Sequence, residues 1–431
     1  MKRIKDIKRA LAAGEYDSVL SRIYCRTGDR VLPYRDRIVR AMDGYMKEFK
    51  KDEDSEAAVF SAPGRTEIGG NHTDHQLGKV LTGAVDLDAI ACAAPNGTDN
   101  VRIYSEGYGL TEINIGDLAP VKEEENTTAA IIRGTISAIA GRGYKIGGFD
   151  AWVTSDVPGG SGLSSSACFE VLIGVTVNGL FCGGEMEAAE IARIGQYAEN
   201  VYFGKPSGLL DQMGCAIGGI VSIDFRDKDK PAWHAVDFDF AGAGYALCIV
   251  DTGADHADLT DDYAAVPAEM KFVASFFGKE VLSEVDENEF YSNIAKIREA
   301  AGDRAVMRAI HYYTDCRRVE EQAEALERGD FDRFLRLVNS SGHSSYMYLQ
   351  NVDTYRDPER QPVAIALAMA RYYLGLEGAR RVHGGGFAGT IQAFVPLDLL
   401  DDFKAGMDSL LGDGACRVTY IRPVGGCTLI D

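Results

Sequence analysis

The sequence predicts a soluble, two-domain protein of the mixed α/β class, and three observations carry that expectation. The chain of 431 residues is longer than one ordinary core organises. Its 46% hydrophobic residues are ample to bury two cores. Short apolar runs alternate with segments of helical periodicity, and one of those helices is opened by a loop rich in glycine and serine.

Ile38, Met42, Tyr45, Met46 and Phe49 recur at helical spacing, which predicts an amphipathic helix over residues 34–50, ended by the charged run Lys50–Glu56. Apolar runs at Ala57–Ser61, Lys79–Ala93 and Val101–Tyr104 predict strands, with Pro95-Asn96-Gly97 as a turn between the last two. Thr127–Gly141 reads as a helix and Asp150–Thr154 as a strand entering the Gly/Ser loop, after which Ala167–Leu180 is helical. A helix around Ala188–Tyr202 and a strand at Ile220–Asp224 follow.

Arg226–Gly244 begins polar, carries Pro231 and ends in small residues, so the expected domains are residues 1–240 and 241–431. The second domain opens with strand Ala246–Asp251. Helices Cys316–Arg328 and Phe331–Val338 flank Gly329-Asp330, a C-cap glycine followed by an N-cap aspartate. A helix near Gln361–Tyr373, a glycine-rich loop at Gly384–Gly389 and strand Thr390–Pro396 lead to the C-terminus.

A net charge of −20 argues against a nucleic-acid partner, because neutralising a phosphate backbone takes a basic surface. The first residues, MKRIKDIKRALAAGEYDSVL, lack the apolar core of a signal peptide, and no run of about 18 apolar residues occurs. A cytoplasmic protein with no membrane partner is therefore expected, as a monomer or weak homo-oligomer. Nine cysteines without a C-x-x-C pair read as buried thiols in a reducing compartment.

The most telling stretch is Val157–Glu170, VPGGSGLSSSACFE, with three glycines and four serines before an apolar helix. Such a loop can aim backbone N–H groups, a helix N-terminus and hydroxyls at one anion. It reads as a phosphate cradle, with a plain loop as the alternative, and it is not of the Walker type: Gly78-Lys79, Gly204-Lys205 and Gly278-Lys279 all lack the following Ser or Thr. Two other segments stand out, APGRTEIGGNHTDHQLG at Ala62–Gly78 and RVHGGGFAGT at Arg381–Thr390. His72 and His75 form H-x-x-H, but in a glycine-flanked loop without cysteine partners, which disfavours zinc.

Together the three segments resemble the GHMP kinases and, within them, the galactokinase branch, whose first signature reads G-R-x-N-x-I-G-E-H-T-D-Y-x-x-G. The match runs through Gly64, Arg65, Gly70, His72, Thr73, Asp74 and Gly78. PSGLLDQMG at Pro206–Gly214 and DTGADHADLTDDY at Asp251–Tyr263 are similar to the family's base-bearing and sugar-contacting segments. The resemblance covers most of residues 57–395 and fits the first 50 or so poorly. It implies a GHMP kinase fold, with an N-terminal ribosomal-protein-S5-like domain and a C-terminal ferredoxin-like α/β domain.

The resemblance also implies an ATP-dependent sugar 1-kinase. It makes Asp211 the general base and places Arg65 beside it, although a structural salt bridge would equally satisfy a buried aspartate. It assigns ATP to Gly159, Gly160, Ser161, Gly162, Leu163, Ser164, Ser165, Ser166, Ala167 and Gly385, Mg²⁺ to Ser165 and Glu170, and sugar to Asn71, His72, Asp74, Gly208 and Tyr263. The chain departs from the signature in four places: Glu67 replaces Asn, Gly69 replaces Ile, Asn71 replaces Glu and His75 replaces Tyr. In the family that Glu meets the sugar's C6 hydroxyl, so Asn71 opens galacturonate as an alternative to galactose, with an arabinose-type sugar third. A sugar-binding regulator without catalysis is the competing class.

Overall fold

The computed structural model describes every residue except 161, 206, 229 and 254–258, and the side chain of 260. The chain opens with β1 (Lys2–Arg3) and three helices, α1 (Ile4–Ala13), α2 (Asp17–Tyr24) and α3 (Leu32–Phe49). Two long strands follow, β2 (Glu56–Gly69) and β3 (Lys79–Pro95), then β4 (Asn100–Ser105), β5 (Gly109–Asn114), α4 (Thr128–Ala140) and β6 (Phe149–Ser155). Next come α5 (Ser165–Phe181), α6 (Ala188–Tyr197), α7 (Leu210–Ile217), β7 (Ile220–Asp224) and β8 (Ala232–Val236). The remainder is β9 (Tyr245–Asp251), α8 (Thr260–Phe276), α9 (Glu287–Ser292), α10 (Ile294–Glu327), α11 (Phe331–Ser344), α12 (Pro362–Leu374), β10 (Ala379–His383), β11 (Thr390–Pro396), α13 (Leu400–Leu411), β12 (Cys416–Thr419) and β13 (Cys427–Ile430).

Among the described residues, the first sheet runs β1-β2-β3-β6-β4-β5, with β13 added to β2 and the pair β7–β8 added to β3. Its pairings are antiparallel apart from the parallel β4–β6. Because strand side chains alternate between faces, β2 and β3 serve two cores at once. Ala58, Phe60, Ala62, Ala89, Ala91 and Ala93 pack with α4, α5, α6 and α7. Ala57, Val59, Ile90, Cys92 and Ala94 pack on the opposite face with Ile4, Ile7, Leu11, Ile38, Met42 and Tyr45 of the N-terminal helices. The opening residues thus cover the sheet's second face.

The second sheet is antiparallel, in the order β10-β11-β9-β12. With helices between β9 and β10 and α13 between β11 and β12, it is the βαββαβ pattern of a ferredoxin-like unit, as expected. Gly329 (φ 68°) and the Asp330 side chain, which accepts from the Arg333 N–H at 3.1 Å, form the C-cap and N-cap predicted between α10 and α11.

Several details differ from the sequence reading. The segment 226–244 is not wholly a junction, because β8 lies inside it and pairs with β7. The expected second domain, 241–431, does not keep its own end: β13 pairs with β2, and Arg422 joins Arg37, Tyr24 and Ser61 around the fully buried Asp88. The helix expected over 188–202 ends at Tyr197 and widens into π-helical turns over Ala198–Phe203, which bury Glu199. Cys25 is exposed and Cys316 and Cys427 are half-buried, so not all thiols are interior. Among the described residues no helix is long and apolar enough to cross a membrane.

Candidate active site

The Gly/Ser-rich loop and Asp211 meet through Arg65 of β2. After β6 the chain turns through Gly160 (φ 73°) and Gly162 (φ 70°), and Ser164 takes a left-handed conformation (φ 56°) immediately before α5. This cramped path is what a glycine-rich sequence permits. The Arg65 N–H donates to Leu163 O at 3.1 Å, and the Arg65 guanidinium reaches Gly162 O, so β2 holds the loop by backbone and side chain.

Asp211 sits in the first turn of α7 and is divided between two partners. Its Oδ1 accepts from Arg65 Nε at 2.8 Å and forms an ion pair with Nη2 at 2.7 Å, while its Oδ2 accepts from Ser164 Oγ at 2.6 Å. Burial raises the carboxyl's pKa, but the attraction of Arg65 and the Ser164 hydroxyl together outweigh it and hold the group below the usual range. Asp211 is thus an ionised carboxylate at neutral pH.

On the far side of this pair lies a cavity of about 160 Å³. Its walls include Arg65, Glu67, His72, Asp74, Gly208 and Asp211, and Tyr263 and Gly385 close it. A Cβ on Gly208 would fall 2.8 Å from Asp74 Oδ2, so a larger residue there would push the Asp74 carboxylate aside. His72 is buried, donates Nε2–H to Gly385 O at 2.9 Å and leaves Nδ1 without a partner among the described residues. Burial and then neighbouring His75 push its pKa down to about 3, so the ring is neutral. Tyr263 tilts against His72 with ring centres 5.2 Å apart, and His75 Nε2 stands 3.3 Å from its hydroxyl. The arrangement joins a polar cavity, an ionised carboxylate and a buried guanidinium to a loop open to anions, which suits phosphoryl transfer to a hydroxyl.

Residues 130–219 match the GHMP kinases N terminal domain, and residues 44–95 match the galactokinase galactose-binding signature. The chain is 32% identical over 378 residues to a galactokinase of Streptomyces coelicolor, covering 85% of this chain and 93% of that relative. It is 33% identical over 361 residues to a galactokinase of Actinobacillus pleuropneumoniae, covering 81% and 88%. The chain belongs to the galactokinase family of the GHMP kinases. It is accordingly a phosphotransferase with an alcohol group as acceptor and ATP as phosphate donor. In fold, the family member resembles Lactococcus lactis galactokinase complexed with galactose, with a TM-score of 0.77 at 24% identity over 91% of this chain and 100% of that one. L. major mevalonate kinase in complex with R-mevalonate scores 0.57 at 14% identity, over 86% and 97%.

Of the residues expected to meet sugar in this galactokinase-family chain, His72, Asp74, Gly208 and Tyr263 share the cavity wall with Arg65 and Asp211. Asn71 does not. It is fully buried, its Nδ2 donates to Glu67 Oε1 at 3.0 Å and Gly384 O at 2.7 Å, and its Oδ1 accepts from Asn351 Nδ2 at 2.8 Å and Ser345 Oγ at 3.3 Å. A side chain with all its amide atoms engaged behind the wall cannot read C6. Gly385, expected with ATP, lines the cavity against Tyr263 instead; Gly162 is the loop residue that approaches the third motif, at His383 and Thr390.

The loop serine that bonds Asp211 is Ser164. Gly159 and Gly160 are exposed with open space where a Cβ would stand, Ser166 is exposed, and Leu163 and Ala167 are buried as the loop's anchors. Ser161 lies outside the described residues, as do Pro206 and His256 of the two supporting segments. Glu170 is sealed inside: its Oε2 accepts from Gln212 Nε2 at 2.8 Å and its Oε1 has no partner among the described residues. Burial, and then Glu199, push its pKa up to about 8.

The sequence reading missed Glu199, Lys205 and Gln212, which also line the cavity. Gln212 bridges Glu170 and Glu199, and Lys205 Nζ pairs with Glu199 at 2.9 Å. Lys205 was visible only as half of a Gly-Lys pair that fails the Walker pattern. Glu67 was visible only as a departure from the signature.

Proposed function

We propose that this enzyme transfers the γ-phosphoryl group of ATP directly to the C1 hydroxyl of galactose, giving galactose 1-phosphate and ADP. One observation carries the reading: Asp211, on the cavity wall, is bonded to Arg65 on one oxygen and to the phosphate loop's Ser164 on the other. Those contacts support Asp211 as a base acting between a sugar in the cavity and a phosphoryl donor on the loop. The carboxylate accepts the hydroxyl proton late in a loose transfer, so its low basicity suffices. Arg65 holds Asp211 ionised and offsets negative charge developing on the transferred group. The loop Gly159–Ala167 and the N-terminus of α5 receive the phosphates through backbone N–H groups. The family pattern assigns no residue as a phosphate-accepting nucleophile, so no phospho-enzyme is expected.

The residues fit Mg²⁺ in one respect: Glu170 Oε1 is a buried carboxylate oxygen with no partner among the described residues, an acceptor that a cation would satisfy. Glu170 and the Ser165 hydroxyl would hold the ion, which neutralises phosphate charge when bound. The acidic charge and mostly buried thiols support a cytoplasmic enzyme that binds no nucleic acid.

Galacturonate loses its argument, since Asn71 is not on the cavity wall, and the intact Asp211–Arg65 pair disfavours a regulator without catalysis. The test is ADP release with galactose, galacturonate and arabinose, with the product identified. Galactose should be phosphorylated at C1. Binding of sugar and ATP without transfer would replace this reading with the regulator.

A further inference from the structure

We infer that Glu67, rather than Asn71, selects the class of sugar this cavity accepts: it presents a carboxylate oxygen to a hydroxyl of a neutral sugar and turns away sugars that carry a carboxylate. The inference rests on the galactokinase reading and names the residue that sets its substrate class.

The two oxygens of Glu67 are in different situations. Oε1 receives both protein donors, Asn71 Nδ2 at 3.0 Å and the guanidinium of Arg381. Oε2 receives none among the described residues, yet it is not one of the sealed, unpartnered atoms, and Glu67 lines the cavity. It is therefore an acceptor open to the cavity, and a sugar hydroxyl is the donor it fits.

The groups behind Glu67 fix this orientation. Arg381 is fully buried and spends Nε on Val382 O at 3.0 Å and Nη1 on Ile68 O at 2.9 Å, leaving Nη2 for Glu67. Asn71 is held by its amide contacts, and its backbone by Asp315 Oδ2 at 3.0 Å and His311 Nε2 at 2.9 Å. Neither can swing forward to meet a ligand. Relative to the family signature, amide and carboxylate have exchanged positions 67 and 71, so the negative charge has moved within the site and has not left it.

The rest of the wall points the same way. Glu67, Asp74, Glu199 and Asp211 face the cavity, and of its two side-chain cations Arg65 is paired with Asp211 and Lys205 with Glu199. A sugar carboxylate would meet four carboxylates and, among the described residues, no unengaged cation. Like charges in a partly desolvated site repel strongly.

The test measures kcat and KM for galactose and galacturonate, with ATP saturating, in the wild type and in Glu67→Gln. The wild type should prefer galactose by ~100-fold or more in kcat/KM. Glu67→Gln should lose about tenfold on galactose, mostly through KM, and narrow the preference ~10–100-fold, whereas a merely structural role would lower both sugars alike. An unchanged ratio in a folded variant overturns the inference while leaving the galactokinase reading standing. Because Glu67→Gln also strips Arg381 of its counter-charge, the wild type supplies an arm that needs no variant: galacturonate used as well as galactose overturns the inference outright. Phosphorylation of neither sugar overturns the galactokinase reading and this inference with it.

Discussion

Replacing Asp211 by Asn separates its chemistry from its structural contacts. Asparagine keeps the shape and one acceptor oxygen, so it can still receive Arg65, while the Ser164 hydroxyl can reverse and accept from the new amide. What disappears is the charge. Exchanging the charge-assisted Ser164 hydrogen bond (about 1.5–3 kcal/mol) for a neutral one (about 0.5–1.5 kcal/mol) costs roughly 1 kcal/mol, and leaving Arg65 without its counter-charge adds about 1–2 kcal/mol. The Asp211 side chain is 39% exposed, and solvent screening reduces that cost further. Loss of a general base lowers turnover ~10²–10⁴-fold, which corresponds to about 3–5 kcal/mol in the barrier. Asp211→Asn should therefore fold, bind ATP with nearly native affinity and lose almost all turnover. Thermal unfolding, calorimetric ATP titration and ADP-release kinetics measure the three quantities. Turnover within tenfold of wild type in a folded variant would refute the base assignment. The pH profile checks the same group: its folded pKa lies below the ordinary 3.8, so the ionised base, and the stability its ion pair confers, are present above 3.8 and lost only as pH falls through the depressed value. The acid limb of kcat/KM belongs below about pH 4.

Three further outcomes follow from the packing. Gly162→Val should weaken ATP binding sharply and cost ~1–2 kcal/mol of stability, because φ is 70° and its Cβ would stand 3.0 Å from His383 Nδ1 and Thr390 Oγ1; calorimetric titration showing native ATP affinity would remove the loop from the phosphate site. Asn71→Glu should destabilise by ~3–5 kcal/mol without switching the sugar, since it buries a second carboxylate against Glu67 and discards two amide bonds; a stable variant with altered sugar preference would contradict its buried position. Asp88→Asn should cost ~3–5 kcal/mol in urea unfolding, because it leaves Arg37 and Arg422 buried together without their counter-charge, and an unchanged midpoint would show that this cluster does not tie the N-terminal helices to the sheet.

Much of the fold was legible because it is written locally. Strand Thr390–Pro396 and the caps at Gly329-Asp330 follow from residue types whose backbone preferences need no distant partner. Likewise, VPGGSGLSSSACFE could be read as a phosphate loop because glycines at 160 and 162 supply positive φ wherever the chain places them. The motifs around Arg65, Asp74, Gly208 and Asp211 gave the cavity's composition, and the structure brings those residues onto one wall.

What the sequence left open is whatever depends on packing between distant segments. Asn71 and Glu67 are four residues apart, and nothing local says which faces the cavity. That is decided by Asn351, Ser345 and Gly384, which take up the Asn71 amide, and by His311 and Asp315 of α10, which pin its backbone. The N-terminal helices read as a preface because their apolar stripe does not name its partner. Only pleat alternation in β2 and β3, with Ala57 and Val59 on one face and Ala58 and Phe60 on the other, shows that they complete the sheet. By itself the sequence determined which chemical groups this enzyme carries and which backbone turns it can make, since those are properties of single residues and short windows. Tertiary structure alone decided which of those groups face the cavity, because burial and hydrogen-bond satisfaction belong to the whole packed chain.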